Sequence, residues 1–370
     1  MRNQVAVIPS VACANVAAEK IAARVPGAVA LPHHCGCDHP DPQPVINTLV
    51  GMGRHPNVAA VLVVGLGCEL TQAPALAEAI AGSAKPTQML VIQDEGGVPK
   101  TVSKGAVIAT QLVVEASHLQ RTICPVSALA VATECGGSDA TSGLAANPVI
   151  GLVTDRLIEN GATVILSETT ELIGAEHLLA RRAARPKVAK RILGIVAAVE
   201  QEVLRLGHDI RDAQPSPGNV AGGLTTIEEK SLGCICKAGS APIRGVLGYA
   251  EQPPGPGLYI MDTPGQDVYS VTGMVAGGAQ IVLFSTGRGT PIGNPLAPVV
   301  KITANPETAI KMADHIDFSA AALVDGSTTE GQLEEELFRL VVAVANGHPV
   351  AAERLEHREF SIYAGPQLVL

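Results

Sequence analysis

Short apolar runs alternate with amphipathic stretches along the whole of this chain. Residues 4–12 read as a strand, and ANVAAEKIAARV repeats its apolar positions with a helical period. VALP (29–32) reads as a second strand, PVINTLVGMGRHP as a helix and AAVLVVGL as a third strand. APALAEAIAGS then predicts a helix, TQMLVIQ a strand, the region 100–118 a helix, and LAVAT (129–133) a strand. NPVIGLVTDRLIENG predicts a helix stopped by Gly161, and TVILSE the strand that follows. This is a βαβ series, which builds mostly parallel sheets flanked by helices. From GAEHLLARRA to about Gly207 the pattern is helical and basic, read as a solvated helix face.

The polar, proline-rich segment HDIRDAQPSPGN (208–219) is the expected linker. It divides the chain into an N-terminal α/β domain, 1–207, and a C-terminal α/β domain, 220–370. The second half alternates again, through LYIMDTP, a helix near 268–278, AQIVLFSTG, VVKITAN and helices in 306–313 and 328–346.

Composition sharpens this picture. The 370 residues are 47% hydrophobic and 16% charged, enough for a large core and too apolar for disorder. A net charge of −9 and an aromatic content of 2%, without tryptophan, argue against nucleic-acid binding. The apolar runs fall well short of the roughly 18 residues a membrane span needs. With no leader in view, a cytoplasmic protein with reduced thiols is expected.

Cysteines supply the first candidate chemistry. Cys37, Cys68 and Cys135 lie in HHCGC, GLGCE and ECGGSD, each beside glycine where a strand runs into a loop. Thiolates there face the ligand crevice of a parallel sheet and favour zinc or iron–sulfur chemistry over magnesium. Cys13, Cys124, Cys234 and Cys236 read as small buried hydrophobes. His33, His34 and His39 surround Cys37, and imidazole is both a common ligand and an acid/base. SETTELIGAEH places Glu168, Glu171, Glu176 and His177 after a strand, as hard-cation ligands, general acids or bases, or a helix cap. GNVAGGLTTIEEKSLG offers Asn219, Gly222 and Gly223 as a flexible anion nest. In the same string, Thr225, Thr226 and Glu229 read as a capping box, with Lys230 in the first helical turn. Arg288, between glycines in STGRGTPIGNP, can clamp a carboxylate. No Walker A or GxGxxG motif occurs.

The strings RNQVAVIPSVACAN, HHCGC, HPNVAAVLVVGLGCE, ECGGSDATSGLAANP, ILSETTELIGAEHLLARR, GNVAGGLTTIEEKSLG, LFSTGRGTPIGNP, HIDF and HREFSI resemble the altronate and galactarate dehydratase family over nearly the whole chain. The resemblance is to the large-subunit type, which lacks the small SAF domain. It therefore implies a small SAF-type partner subunit, an oligomer, and a hydroxy-acid substrate. It also implies an iron-dependent hydro-lyase that turns a 2,3-dihydroxy acid into a 2-keto-3-deoxy acid. On that model Cys37, Cys68 and Cys135 hold iron, singly or as a cluster. His33 or Lys230 is the base, with Glu171 and Glu229 as further acid/base candidates. Ser138, Asp139, Asn219, Gly222, Gly223, Thr225, Thr226 and Arg288 bind substrate. A related branch, the large subunit of sulfolactate sulfo-lyase, is similar in the second half. It is expected to lack thiols at positions 37 and 68, which favours the sugar-acid side. A non-catalytic sugar-acid-binding subunit is the alternative outside enzymes.

Overall fold

The computed structural model describes residues 2–37 and 41–365. Two sheets, all of whose strand pairs are parallel, organise the chain. The smaller contains β1 (Gln4–Pro9), β2 (Ala28–Ala30), β3 (Val58–Gly65) and β4 (Thr87–Val91), in the order β2-β1-β3-β4. The larger contains β5 (Ala130–Cys135), β6 (Thr163–Leu166), β7 (Ile243–Leu247), β8 (Gly257–Met261), β9 (Ile281–Ser285), β10 (Val299–Thr303) and β11 (Phe318–Ser319). Its order is β11-β10-β9-β5-β6-β8-β7. The α/β architecture expected from the alternating pattern is thus present.

The expected boundary is not where the sheets part. Strands β5 and β6 precede residues 208–219, yet β5 pairs with β9 and β6 with β8, both from beyond that segment. The change of sheet falls between β4 and β5. Polarity and proline at 208–219 mark an exposed crossing over the larger sheet, with short helices at Ile210–Asp212 and Pro217–Ala221. Edge strand β7 was not read from sequence, because IRGVL carries an exposed arginine and a glycine in place of an apolar alternation.

Helices α1 (Asn15–Ala22) and α4 (Val98–Ser117) cover the outer face of the smaller sheet. Between the sheets lie α2 (Gln43–Arg54), α3 (Ala73–Ala81) and α8 (Asp267–Ala276). Helices α5 (Asn147–Glu159), α6 (Pro186–Arg205) and α9 (Glu330–Ala345) cover the far face of the larger sheet. Helix α7 (Ile227–Ile235) lies beyond the strand ends.

The middle layer ties the sheets together through polar contacts as well as apolar burial. His55 donates from Nε2 to Ala279 O at 2.9 Å and accepts at Nδ1 from Asn57 N–H at 3.1 Å. Asn57 Nδ2 in turn donates to Gln280 O and Leu296 O. Burial lowers the His55 pKa to about 4, so the ring is neutral, as this pattern requires. Among the described residues no helix is long and apolar enough to cross a membrane.

At Gly51 of α2, a Cβ would press into the backbone carbonyl of Ala276 on α8. Gly51→Ala is expected to lower the unfolding free energy by about 1–3 kcal/mol in urea titrations. Gly194→Ala, at an exposed position of α6 with open space around it, should raise it by about 0.5–1 kcal/mol.

Candidate active site

Strands β5 and β9 are the neighbours in the larger sheet from which the chain departs in opposite directions. Their carboxyl ends leave the crevice where α/β sheets bind ligands. GGSD follows β5, SETTEL follows β6, DTPGQD follows β8 and TGRG follows β9, so all four loops reach this edge.

At the base of the crevice Glu168 is buried with a left-handed backbone, φ +66°. Such a conformation costs a non-glycine residue about 1–3 kcal/mol and clusters at functional sites. Thr263 Oγ1 accepts from Glu168 N–H at 2.8 Å. Glu168 Oε2 accepts from Cys135 N–H at 2.9 Å and pairs with Lys237 Nζ at 3.1 Å. Lys237 Nζ also donates to Cys234 Sγ at 3.3 Å, and that sulfur accepts from Cys135 Sγ–H at 3.7 Å.

Further carboxylates crowd this point. Glu134 accepts at Oε2 from Ser167 Oγ (2.6 Å) and Ser270 Oγ (2.7 Å). Burial, then the charges of Glu168 and Asp267, push its carboxyl well up. Lys230 Nζ donates to Glu171 Oε1 at 2.7 Å and to Gln214 Oε1 at 2.8 Å. Burial raises the Glu171 pKa against the pull of the Lys230 ammonium. For Lys230, burial is outweighed by Glu171, and the net shift is upward, so the amine stays charged. Asp267, at the start of α8, places its carboxyl beside Gly136. Burial, then Glu168 and Glu171, raise its pKa to about 7. Glu134 Oε1, Glu168 Oε1 and Glu171 Oε2 are buried with no hydrogen-bond partner among the described residues.

Several sequence candidates prove to be framework. Buried His33 uses both ring nitrogens on backbone, donating to Pro9 O (2.9 Å) and accepting from Cys35 N–H (3.2 Å). Its pKa falls to about 4 through burial, so it has no free nitrogen to act as a base. Exposed His34 instead meets Ser361 Oγ at 3.2 Å and packs edge-on to Tyr269, two residues from Asp267. His39 lies outside the described residues. Asp139 Oδ1 accepts from Thr141 Oγ1, Ser142 N–H and Ser142 Oγ, and Oδ2 from Asn305 Nδ2. It joins the β5 loop to the segment after β10, and it also lines the cavity beside Ser138 and Lys230. Thr226 caps α7 by accepting from Glu229 N–H, and Glu229 Oε2 accepts from Thr225 N–H and Oγ1. Those bonds hold exposed Glu229 below the usual carboxylate range, as a cap and not an acid catalyst.

Other candidates do converge. Asn219 Oδ1 accepts from Ser138 N–H at 3.0 Å, and Gly222 O from Ala140 N–H at 3.1 Å. A Cβ at Gly222 would sit 2.9 Å from Ser138 O and Asp139 Cβ, so glycine permits this approach. Gly223 follows at φ +95°. The Arg288 side chain lies over Gly137, and its guanidinium forms no ion pair among the described residues. A cavity of about 300 Å³ opens between Ser138, Ser142, Asn147, Leu224, Lys230 and Gly233, within the range of ligand pockets.

Among the described residues the thiols of Cys37, Cys68 and Cys135 do not lie together within 4.8 Å as the ligands of a single ion. Cys37 and Cys68 are exposed on loops of the smaller sheet that touch through Leu70 N–H and Cys37 O, whereas Cys135 is buried in the larger one. Among the described residues, the donor atoms that lie within 4.8 Å of one another belong to Cys135, Glu168 and Cys234. Two thiols and a carboxylate suit a borderline divalent ion by type. Their arrangement does not, because the Lys237 ammonium is bonded to both Cys234 and Glu168. The iron implied by resemblance therefore does not fit this donor set as it stands.

Asp267 and Lys237 escaped the sequence reading, and Cys234 reads there as a small buried hydrophobe. Asp267 lies at the end of the loop after β8, a usable cue, while nothing local marks Lys237. Asp267→Asn is expected to stabilise the fold. A carboxyl raised from about 3.8 toward 7 favours the folded state only below its ordinary pKa. That advantage is lost as pH rises through about 7. The gain of the variant should be near zero at pH 4 and reach up to about 4 kcal/mol at pH 8, read from denaturation curves at both pH values.

Comparison with known proteins bears on the whole chain. The family model "D-galactarate/Altronate dehydratase, C-terminal" matches residues 126–366, and "D-galactarate dehydratase/Altronate hydrolase, second domain" matches 1–117. The junction between them falls where the chain passes from the smaller to the larger sheet. (2R)-Sulfolactate sulfo-lyase subunit beta of Chromohalobacter salexigens is 40% identical over 97% of this chain and 93% of its own length. That similarity is not confined to the second half. Altronate dehydratase of Escherichia coli is 36% identical over 98% of this chain and 75% of its own length. Galactarate dehydratase (L-threo-forming) of the same organism is 37% identical over 82% and 59%. With both family models matched in sequence order and relatives 36–40% identical over 82–98% of this chain, the chain belongs to the galactarate/altronate dehydratase family.

Proposed function

We propose that this chain is a hydro-lyase subunit that removes water from a sugar acid such as altronate or galactarate, giving a 2-keto-3-deoxy acid. The observation that carries this reading is the placement of two groups at one crevice: Asp267, with its pKa near neutral, and Lys230, an ammonium held by Glu171 at the wall of the cavity.

Elimination begins at a weakly acidic C–H beside a carboxylate. A base must take that proton, and positive charge must stabilise the enediolate that forms. Asp267 is the base in this proposal, because a carboxylate with a pKa of about 7 is both ionised and usefully basic at neutral pH. Lys230 supplies charge toward the developing oxyanion. Arg288 clamps the substrate carboxylate, and the Asn219–Ser138 contact shapes the wall between them. The electron pair left on the α-carbon forms the C=C bond as the β-hydroxyl departs with a proton. The enol then tautomerises to the keto acid. The proton that Asp267 takes from the α-carbon is the one handed to the departing hydroxyl, because Glu171 is engaged as the partner of the Lys230 ammonium.

The relative named a beta subunit supports a second kind of polypeptide in the working enzyme, which in this proposal is the small SAF-type partner, and Leu144 and Leu232 lie exposed beside the cavity. Sulfite elimination from sulfolactate is the second reading, favoured by the match over 93% of that relative's length. It uses the same proton abstraction with sulfite in place of hydroxide.

Keto-acid formation from altronate and galactarate, assayed beside sulfite release from sulfolactate, separates the two readings. Turnover of none of the three, with sugar-acid binding intact, would leave a binding subunit. Lys230→Met is expected to lower kcat about 10²-fold or more, with Lys230→Arg retaining part of the rate. The rate should rise with pH through about 7 as Asp267 loses its proton, and Asp267→Asn should abolish that limb of the profile.

A further inference from the structure

Lys237 occupies the single turn Cys236–Ala238 that follows α7, three residues after Cys234. That spacing returns its side chain over Cys234, and the ammonium is enclosed by Cys234 Sγ at 3.3 Å and Glu168 Oε2 at 3.1 Å. The side chain has no exposed surface. Its main chain is pinned as well. Thr154 Oγ1 donates to Lys237 O at 2.9 Å, and Arg182 Nη2 donates to Ala238 O at 2.9 Å. The ammonium therefore has no solvent-facing position to retreat to if a second cation enters.

The donors around it are those of a metal site. Cys135, Glu168 and Cys234 bring three ligand atoms together at the carboxyl end of the sheet, and Glu168 Oε1 is buried with no partner among the described residues. Burial disfavours a charged amine, yet the neighbouring sulfurs and the Glu168 carboxylate outweigh it and raise the Lys237 pKa. A charge so enclosed persists only when paired.

We infer that Lys237 is the resident cation of this thiol–carboxylate cluster, standing where a divalent metal would otherwise bind between Cys234 and Glu168. It is a positioning residue: it holds the left-handed Glu168 against Cys135 N–H under the crevice. Substituting it converts the cluster into a metal site. The inference rests on the geometry of the cluster and not on the choice of substrate.

Anaerobic cobalt(II) titration tests this, in a background where the exposed Cys13, Cys37, Cys68 and Cys124 are serine. The Lys237 protein should show no sulfur-to-cobalt charge-transfer absorption. Lys237→Met should develop that absorption with equimolar bound cobalt, and adding Cys234→Ser should remove it. A charge-transfer band in the Lys237 protein that Cys135→Ser or Cys234→Ser abolishes would overturn the inference. So would a folded Lys237→Met protein that gains no cobalt. If Lys237→Met does not fold, the Lys237 protein with and without Cys234→Ser decides the matter alone. Lys237→Arg, which keeps the charge, should stay free of the band and retain more turnover than Lys237→Met. Equal turnover of the two variants would remove the positioning role.

Discussion

Two ammonium groups buried beneath the carboxyl edge of the larger sheet decide how this site is built. Lys237 pairs with Glu168 and Lys230 with Glu171, each almost wholly removed from solvent. Breaking a buried pair strands the remaining charge, a loss typically of about 3–5 kcal/mol. The surrounding acids adapt to that arrangement. Glu134 is driven toward its neutral form, and burial, with Glu168 and Glu171 nearby, raises the Asp267 pKa to about 7.

The same constraint accounts for the topology of the site. Cys135 and Glu168 come from adjacent strands, Asp267 from a helix of the layer between the sheets, and Lys230 and Lys237 from α7 and the turn after it. A parallel sheet with a switch point at β5 and β9 brings these distant segments to one edge. The smaller sheet contributes by proximity. Its His/Cys loop reaches α8 through His34, while His33 and Glu69 serve to shape the loops themselves. Ser10 Oγ and the Leu66 and Gly67 amides all donate to the Glu69 carboxylate.

Unfavourable local features gather at this crevice. Glu168 is held in a left-handed conformation, and three glutamates each bury an oxygen that has no partner among the described residues. Such features lower stability and persist where the rest of the structure over-determines them. Here the fixing elements are the Thr263 hydroxyl, the Cys135 amide and the Lys237 ammonium, all bonded to Glu168.

Local pattern determined most of the fold. The alternation of AVLVVGL, TVIL or LFS with amphipathic runs sufficed for parallel α/β sheets, and TTIEE for the cap of α7, because strand burial and helix capping are short-range properties. The same reading singled out Asn219, Gly222, Lys230, Glu171 and Arg288 as polar groups in glycine-bearing loops and helix starts, which is also a local property. Sequence could not separate histidine as ligand from histidine as hydrogen-bonded framework, since the partners of His33 are backbone atoms of other loops. Nor could it reveal that Cys135 meets Cys234 and not Cys37, or that Lys237 lies between Cys234 and Glu168. Those contacts join residues from separate β-α units, and only the packing of strands and helices into one crevice decides which charges share a space without water.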